Sequence, residues 1–379
     1  MKVIIEAQGA CVVNPRGIHV YAIELIRGLL KRESHKYGLA FFDYLGERGS
    51  RKLIKKRFSG LKTEVFECND INYAYLNYDL AYLKKSYNDY IGTDADVFHI
   101  TAPYTVPAKI RGQMIVTIHD MIPVLPFYGV LPYYNPYPEV AHNLQRICNN
   151  DATVIAVSHA TKTDIVNYTD IPEERVHVVY SGIDHDTHFP QKNAEALKRL
   201  GVGARFFLCI GMAHEYRKNF ERILQAFEIV AEKNDDVQLV SIGVHIPDNI
   251  KKLVANSEYK ERIVLLQYVS DDEKRWLLSD TEALLYPSIY EGFGLPIVEA
   301  MACGAPVIAS DTSSMPEAAG DCAILVDPYS VENMAHEMER VLNNQSLKTE
   351  VMPKGIAHSK KFTWEKTAEE TEKVYSSRS

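Results

Sequence analysis

No stretch of this chain holds the roughly 18 to 20 consecutive apolar residues that a membrane-crossing helix needs. Met1 is followed by the strand-like run KVIIEA, without the basic start or small-residue cleavage site of a secretory signal. A cytoplasmic location is the expectation. Positive charge is not in excess: 42 Lys and Arg face 50 Asp and Glu, for a net charge of −8. Residues 1–190 hold 20 basic against 21 acidic side chains and residues 191–379 hold 22 against 29, so neither half has the basic surplus that displaces counter-ions from nucleic acid. The six cysteines, Cys11, Cys68, Cys148, Cys209, Cys303 and Cys322, form no Cys-x-x-Cys pair and are expected to be buried reduced thiols. A Gly-x-Gly-x-x-Gly after the first strand is also missing. Gly201-Val202-Gly203 comes before a strand, so dinucleotide oxidoreduction loses its main support.

What the chain does have is length and alternation. Its 379 residues exceed what one hydrophobic core usually supports, and 46% hydrophobic with 24% charged residues is ordinary globular composition. Short apolar runs, KVIIEA, DVFHI, QMIVTIH and ATVIAVS, alternate with longer amphipathic ones. The pattern restarts near residue 205 with RFFLCIG, VQLVSIG, RIVLLQY, EALLYPS, PVIAS and CAILVD. This predicts an α/β protein of two Rossmann-like, doubly wound domains facing each other across a cleft. The expected bounds are 1–185, 186–362 and a terminal helix over 363–379. The aperiodic text SGIDHDTHFPQKN, near residues 182–195, is the expected linker.

The most informative segment is YPSIYEGFGLPIVEAMACGAPVIAS, residues 286–310. Leu295-Pro296 opens a helix that Gly304 closes. Gly292 and Gly294 flank Phe293 in a loop whose backbone N–H groups can approach a ligand closely, and the helix N-terminus adds positive partial charge, an arrangement suited to phosphate. Glu291 lies in that loop and Glu299 is expected in the first helical turn. Their carboxylates can reach two hydroxyl-bearing parts of one ligand.

Arg217 and Lys218 follow the buried strand RFFLCIG and precede an amphipathic helix, so they are expected at the carboxyl edge of the second sheet. Two cations there suit a diphosphate whose charge grows as it departs. His119 ends the strand QMIVTIH and is expected at the carboxyl edge of the first sheet. Asp94-Ala95-Asp96 mimics a metal clamp but precedes a strand. His185 and His188 lack a third ligand at fixed spacing, so no metal and no cofactor are expected.

The text EGFGLPIVEAMACGAPVIAS resembles the Glu-x7-Glu signature of retaining glycosyltransferases with the GT-B fold, notably glycosyltransferase family 4. The resemblance extends through IHD (118–120), VSHATKTDI (157–165), SGID (181–184), RKN (217–219), SSMPEAAGDCAILVDP (313–328) and FTW (362–364), in the family's order. It implies that Glu299 accepts from the nucleotide ribose, that Glu291 and His119 contact the transferred sugar, and that Arg217 and Lys218 hold the diphosphate beside Phe293, Gly294 and Leu295. It adds Gly17, Tyr268 and Val269 to the donor-binding set. The chain departs from the pattern at Met212, where relatives carry an arginine that Arg217 is expected to replace, and at His19, a usual glycine. The IHD and RKN text is most similar to bacterial mannosyltransferases. It implies transfer of a hexose, mannose first, from GDP-mannose or a UDP-sugar to a saccharide or lipid-linked acceptor in cell-surface polysaccharide synthesis, without metal. An epimerase or phosphorylase of the same fold, or a non-catalytic sugar-nucleotide-binding protein, is the alternative.

Residues 48–58 carry six cations in RGSRKLIKKR with Leu53, Ile54 and Phe58 among them. They suit either peripheral contact with anionic lipid or a solvated helix. Tyrosines 73, 75, 78, 82, 87, 90, 128, 133, 134 and 137 can line an acceptor groove or serve as packing.

Overall fold

The computed structural model describes residues 1–15, 17–42, 49–68, 86–103, 106–125, 138–211, 216–243 and 246–377. They form two compact units, one of Met1–Gly182 with Trp364–Ser379, the other Ile183–Thr363.

The first unit is built on a seven-stranded parallel sheet: β1 (Lys2–Glu6), β2 (Lys36–Phe42), β3 (Glu64–Cys68), β4 (Val97–Ile100), β5 (Gln113–Ile118), β6 (Thr153–Ala156) and β7 (Val176–Val178). Their spatial order is β3-β2-β1-β4-β5-β6-β7. Every residue of β4 and β6 is buried, as expected of parallel strands covered on both faces. The order reverses between β1 and β4, and open parallel sheets bind ligands beyond the carboxyl ends of the strands at such a reversal. Helix α1 (Ile18–Arg32) buries Tyr21, Ala22, Leu25, Ile26 and Leu29 at helical spacing. The basic segment forms α2 (Gly49–Arg57), with Ile54 and Phe58 turned into the core. Arg57 donates to the carbonyls of Ala10, Val12 and Val13, and Arg51 pairs with Glu67. Lys52, Lys55 and Lys56 are the outward cations of this helix.

The second unit carries a six-stranded parallel sheet: β8 (Arg205–Ile210), β9 (Val237–Ile242), β10 (Ile263–Leu266), β11 (Ala283–Tyr286), β12 (Val307–Ser310) and β13 (Ile324–Val326), in the order β10-β9-β8-β11-β12-β13. Its reversal lies between β8 and β11. Helix α3 (Phe220–Lys233) packs Phe220, Ile223, Leu224, Phe227 and Val230 onto Phe207, Cys209, Leu239 and Leu285. Helices α4 (Asp271–Asp280) and α5 (Leu295–Ala302) follow β10 and β11.

Helix α6 (Trp364–Ser376) belongs to the first unit. Trp364 meets the Tyr21 ring edge-on at 5.9 Å, and the Tyr375 hydroxyl lies 2.7 Å from His99 Nδ1. Glu372 accepts from Arg32 at 2.7 Å and from Tyr37 at 2.6 Å. Gly28 permits this packing: a Cβ there would stand 3.0 Å from the Ala368 Cβ and 3.1 Å from the Trp364 carbonyl.

Several expectations change. The 182–195 text is structured: Asp184 accepts from the Asp186 N–H at 2.9 Å and the Thr187 hydroxyl at 2.7 Å, and its carbonyl accepts from the His188 N–H at 2.9 Å. Cys11, Cys209 and Cys303 are buried thiols, whereas Cys148 and Cys322 are half-buried. Tyr87 packs on Phe98 and Tyr90 on the same cluster, so both are core residues. The other eight tyrosines of the two clusters, with Met212, lie outside the described residues. Asp94 and Asp96 stand at the start of β4, where they accept from Arg111 and Asn88 and from the Lys2 N–H.

Candidate active site

The site of the second unit is assembled where β8 and β11, neighbours at the sheet reversal, run out. Beyond β8, residues Tyr216–Lys218 form one 3₁₀ turn. Asn219 ends it with φ 64° and donates its side-chain amide to the carbonyls of Pro287, at 3.0 Å, and Pro328, at 2.5 Å. The Ile289 N–H donates to the Arg217 carbonyl at 2.7 Å. These bonds tie the loop after β8 to the loop after β11. The hydroxyls of Ser313 and Ser314 then fix the second loop by donating to the Glu291 carbonyl at 2.7 and 2.9 Å.

Glu291 is thereby aimed between two cations. Its Oε2 lies 2.5 Å from the Arg217 guanidinium and its Oε1 2.6 Å from the Lys218 ammonium. Arg217 also donates to the Tyr290 carbonyl at 3.2 Å. Lys218 donates to the Tyr286 hydroxyl at 2.6 Å and stands 4.6 Å from the centroid of that ring. Glu291 is 7% exposed. Such burial works to raise a carboxyl pKa, but the charges of Arg217 and then Lys218 outweigh it and hold the group down to about 2. Burial and the nearby Glu291 charge push the Tyr286 phenol well above its ordinary range. Arg217 and Lys218 thus share the one Glu291 carboxylate.

Next to it, Gly294 takes φ 103° and ψ 44° and caps α5, with Pro296 at its second position. This points the helix N-terminus to the end of β11, where its N–H groups and dipole favour an anion. The Phe293 side chain packs on Phe362 at 5.4 Å, so it anchors the loop from the core side. Because α5 begins at Leu295, Glu299 is its fifth residue and falls in the second turn rather than the first. Its carboxylate accepts from Lys274 at 2.6 Å and lies 3.6 Å from His188. Burial raises its pKa, yet Lys274 and then His188 pull the net value below the ordinary one. Tyr268 is 78% exposed on the loop after β10, with Val269 half-buried beside it. That strand is two positions, about 10 Å, from β8, so this pair stands apart from the Glu291 cluster.

His119 and Gly17 lie in the first unit. Gly17 precedes α1 with φ 47°. His119 Nε2 lies 2.9 Å from the Thr101 carbonyl, which can only accept, so Nε2 carries the proton and Nδ1 is left as an acceptor. Burial drives the His119 pKa down to about 4, against that hydrogen bond, so the ring is neutral near pH 7. The Thr101 hydroxyl lies 3.0 Å from Glu6 Oε2, and burial lifts this glutamate, the last residue of β1, to about 7.

Sequence reasoning missed Tyr286, Lys274, His188, Glu6 and the serine pair. For Lys274 a signal was available: Ser270 and Glu273 spell a capping box, which fixes where α4 starts and hence which face Lys274 takes. Among the described residues, no three His, Cys, Asp or Glu side chains gather to hold a metal ion, and no helix is long and apolar enough to cross a membrane.

Solved structures that share this architecture include glycosyltransferases. Anabaena Alr3699/HepE, solved with UDP and glucose, superposes at TM-score 0.77 over 100% of both chains with 17% identity. WaaG, a glycosyltransferase of lipopolysaccharide biosynthesis, gives 0.70 over 100% of both at 13%. The fold is GT-B, two Rossmann-like domains. Residues 15–187 match the Glycosyltransferase Family 4 domain and residues 190–357 the Glycosyl transferases group 1 domain. The chain is 28% identical to O-antigen chain mannosyltransferase B of Escherichia coli over 305 residues, 78% of this chain and 76% of that protein. It is 27% identical to the E. coli serotype-specific mannosyltransferase WbdA over 70% of this chain, but that match spans only 33% of WbdA. The chain therefore belongs to the group 1, family 4 glycosyltransferases and is a glycosyltransferase.

Proposed function

We propose that the protein is a retaining hexosyltransferase that moves mannose from GDP-mannose to a saccharide or lipid-linked saccharide in cell-surface polysaccharide synthesis, without a metal ion. The observation that carries this reading is the convergence of Arg217 and Lys218 on one point beside the N-terminus of α5. Positive charge fixed at the place where a nucleoside diphosphate departs stabilises the transition state in the way a divalent ion otherwise does. The mannosyltransferase relatives support the choice of sugar.

In this reading the diphosphate lies against Arg217, Lys218 and the Gly294-Leu295 backbone, and Glu299 takes the ribose hydroxyls. Glu291 accepts from a sugar hydroxyl, and in the first unit His119 presents Nδ1 as an acceptor. The departing diphosphate takes the acceptor's proton while the new bond forms on the same face of the sugar, so Glu291 need not be a nucleophile. Contact with anionic lipid, where it occurs, is through Lys52, Lys55 and Lys56, because Ile54 and Phe58 are committed to the core. In this reading the protein is cytoplasmic, and such lipid contact is with the inner membrane face.

Incubation with GDP-mannose, UDP-glucose and UDP-galactose, with and without EDTA, tests the reading. Slow release of nucleoside diphosphate that persists in EDTA is the expected result. An isomerised nucleotide sugar would indicate an epimerase, binding without turnover a sensor, and activity lost in EDTA would remove metal independence.

A further inference from the structure

Both oxygens of Glu299 face a basic side chain: Oε2 is 2.6 Å from Lys274 Nζ and Oε1 is 3.6 Å from His188 Nε2. Lys274 is held there by its helix. The Ser270–Glu273 capping box closes the first turn of α4. The next residue, Arg275, donates to Gln191 Oε1 at 2.8 Å and to the Thr187 carbonyl at 3.1 Å, so α4 is bolted to the segment that carries His188. The Lys274 side chain keeps 21% of its surface exposed and Glu299 keeps 16%, enough for a ligand to reach both. An ammonium has three N–H donors, and the bond to Glu299 takes one.

A ribose hydroxyl both donates and accepts. A carboxylate satisfies only its donor side, while a lysine beside that carboxylate satisfies its lone pairs as well. Glu299 stands four residues, about 6 Å along the axis, from Leu295, where the diphosphate is placed, and a ribose lies next to its 5′-phosphate.

Resting on the nucleotide-sugar reading, we propose that Lys274 is a specificity-determining residue that reads the ribose 2′-hydroxyl together with Glu299, so that the site selects ribonucleotides over 2′-deoxyribonucleotides. Loss of one partner from a hydrogen bond to a charged group corresponds to roughly tenfold in affinity.

Calorimetric titration of the full chain with GDP, UDP, dGDP and dUDP tests this. The wild type is expected to bind the better ribonucleotide at least about tenfold more tightly than its deoxy form. Lys274→Met should bring the two within about threefold, and Lys274→Arg, which keeps a cation, should restore most of the difference. Thermal melting checks that each variant is folded, and Lys274→Gln provides the same comparison should the methionine variant not fold. An equal loss of affinity for both forms would make Lys274 a general electrostatic partner of the phosphates and overturn the proposal, as would a wild type with no ribose preference. Failure to bind any of the four would overturn the nucleotide-sugar reading with it. A ribose preference that depends on Lys274 in a protein that turns over no nucleotide sugar would instead leave this inference standing and remove only the transferase assignment.

Discussion

The Lys218 ammonium lies 2.6 Å from Glu291 Oε1 and 2.6 Å from the Tyr286 hydroxyl, so one cation links the ends of β8 and β11. Lys218→Met keeps most of the stem and removes the charge. Turnover of the nucleotide sugar should fall about 10²-fold or more, measured as initial rates on protein shown by circular dichroism to be folded. Kinetics within a factor of two of the wild type would refute a role at the leaving group.

Glu291 supplies a pH signature of stability. Its folded pKa of about 2 lies below the ordinary 4.5. The unfolded chain therefore takes up this proton first as pH drops, and the stabilisation, complete above pH 4.5, is lost as pH falls toward 2. Urea unfolding between pH 5 and pH 2.5 should show this loss in the wild type and less of it in Glu291→Gln. Near pH 7 the same variant should be less stable by about 3 kcal/mol, because the buried Lys218 and the half-buried Arg217 lose the carboxylate they share.

Glu6 behaves in the opposite sense. Burial raises it to about 7, so its protonated form is favoured in the folded state. That contribution is full below pH 4.5 and is lost as pH rises through 7. Glu6→Gln should flatten the alkaline slope of Tm and raise Tm at pH 8.5 relative to the wild type more than at pH 5. Equal shifts at both values would contradict the buried-acid assignment.

Gly294→Ala tests the cap of α5. The backbone there has φ 103°, a region that costs an L-residue about 1–2 kcal/mol, and the new Cβ would stand 3.3 Å from Ile297 Cδ1. A lower denaturation midpoint and weaker nucleoside diphosphate binding are expected, read by urea titration and calorimetry. Unchanged binding would show that the α5 N-terminus does not hold the phosphates.

The strands that the sequence reveals are either rich in β-branched residues, such as QMIVTI and VQLVSI, or unbroken apolar runs, such as FFLCI and ALLY. β2, KYGLAFF, contains no β-branched residue, β3 is a Glu-bearing edge strand, and β7 has three residues, so none of these announces itself by composition. At the site, the glycines and proline around residues 291–299 mark the loop and helix start. They fix the start of α5 at Leu295, and counting from there makes Glu299 its fifth residue, one turn beyond its expected place. Tyr286 is invisible because its partner comes from another element, and for Lys274 the capping box gives the helix face but not the partner; only the adjacency of β8 with β11 and the seating of α4 bring these groups together. The stretch 182–195 lacks periodicity, yet Asp184 orders it through side-chain bonds that leave no repeat to detect.

The packing of α6 on α1, with Gly28 flat against Trp364 and Ala368, places the last long helix of the chain in the lobe that starts it. During synthesis that lobe stays unfinished until the whole of residues 183–363 has left the ribosome, and its Tyr21 and His99 wait for Trp364 and Tyr375. All seven strands of its sheet are in hand by Val178, so what waits for the last residues is the seating of α6 on α1 and not the sheet itself.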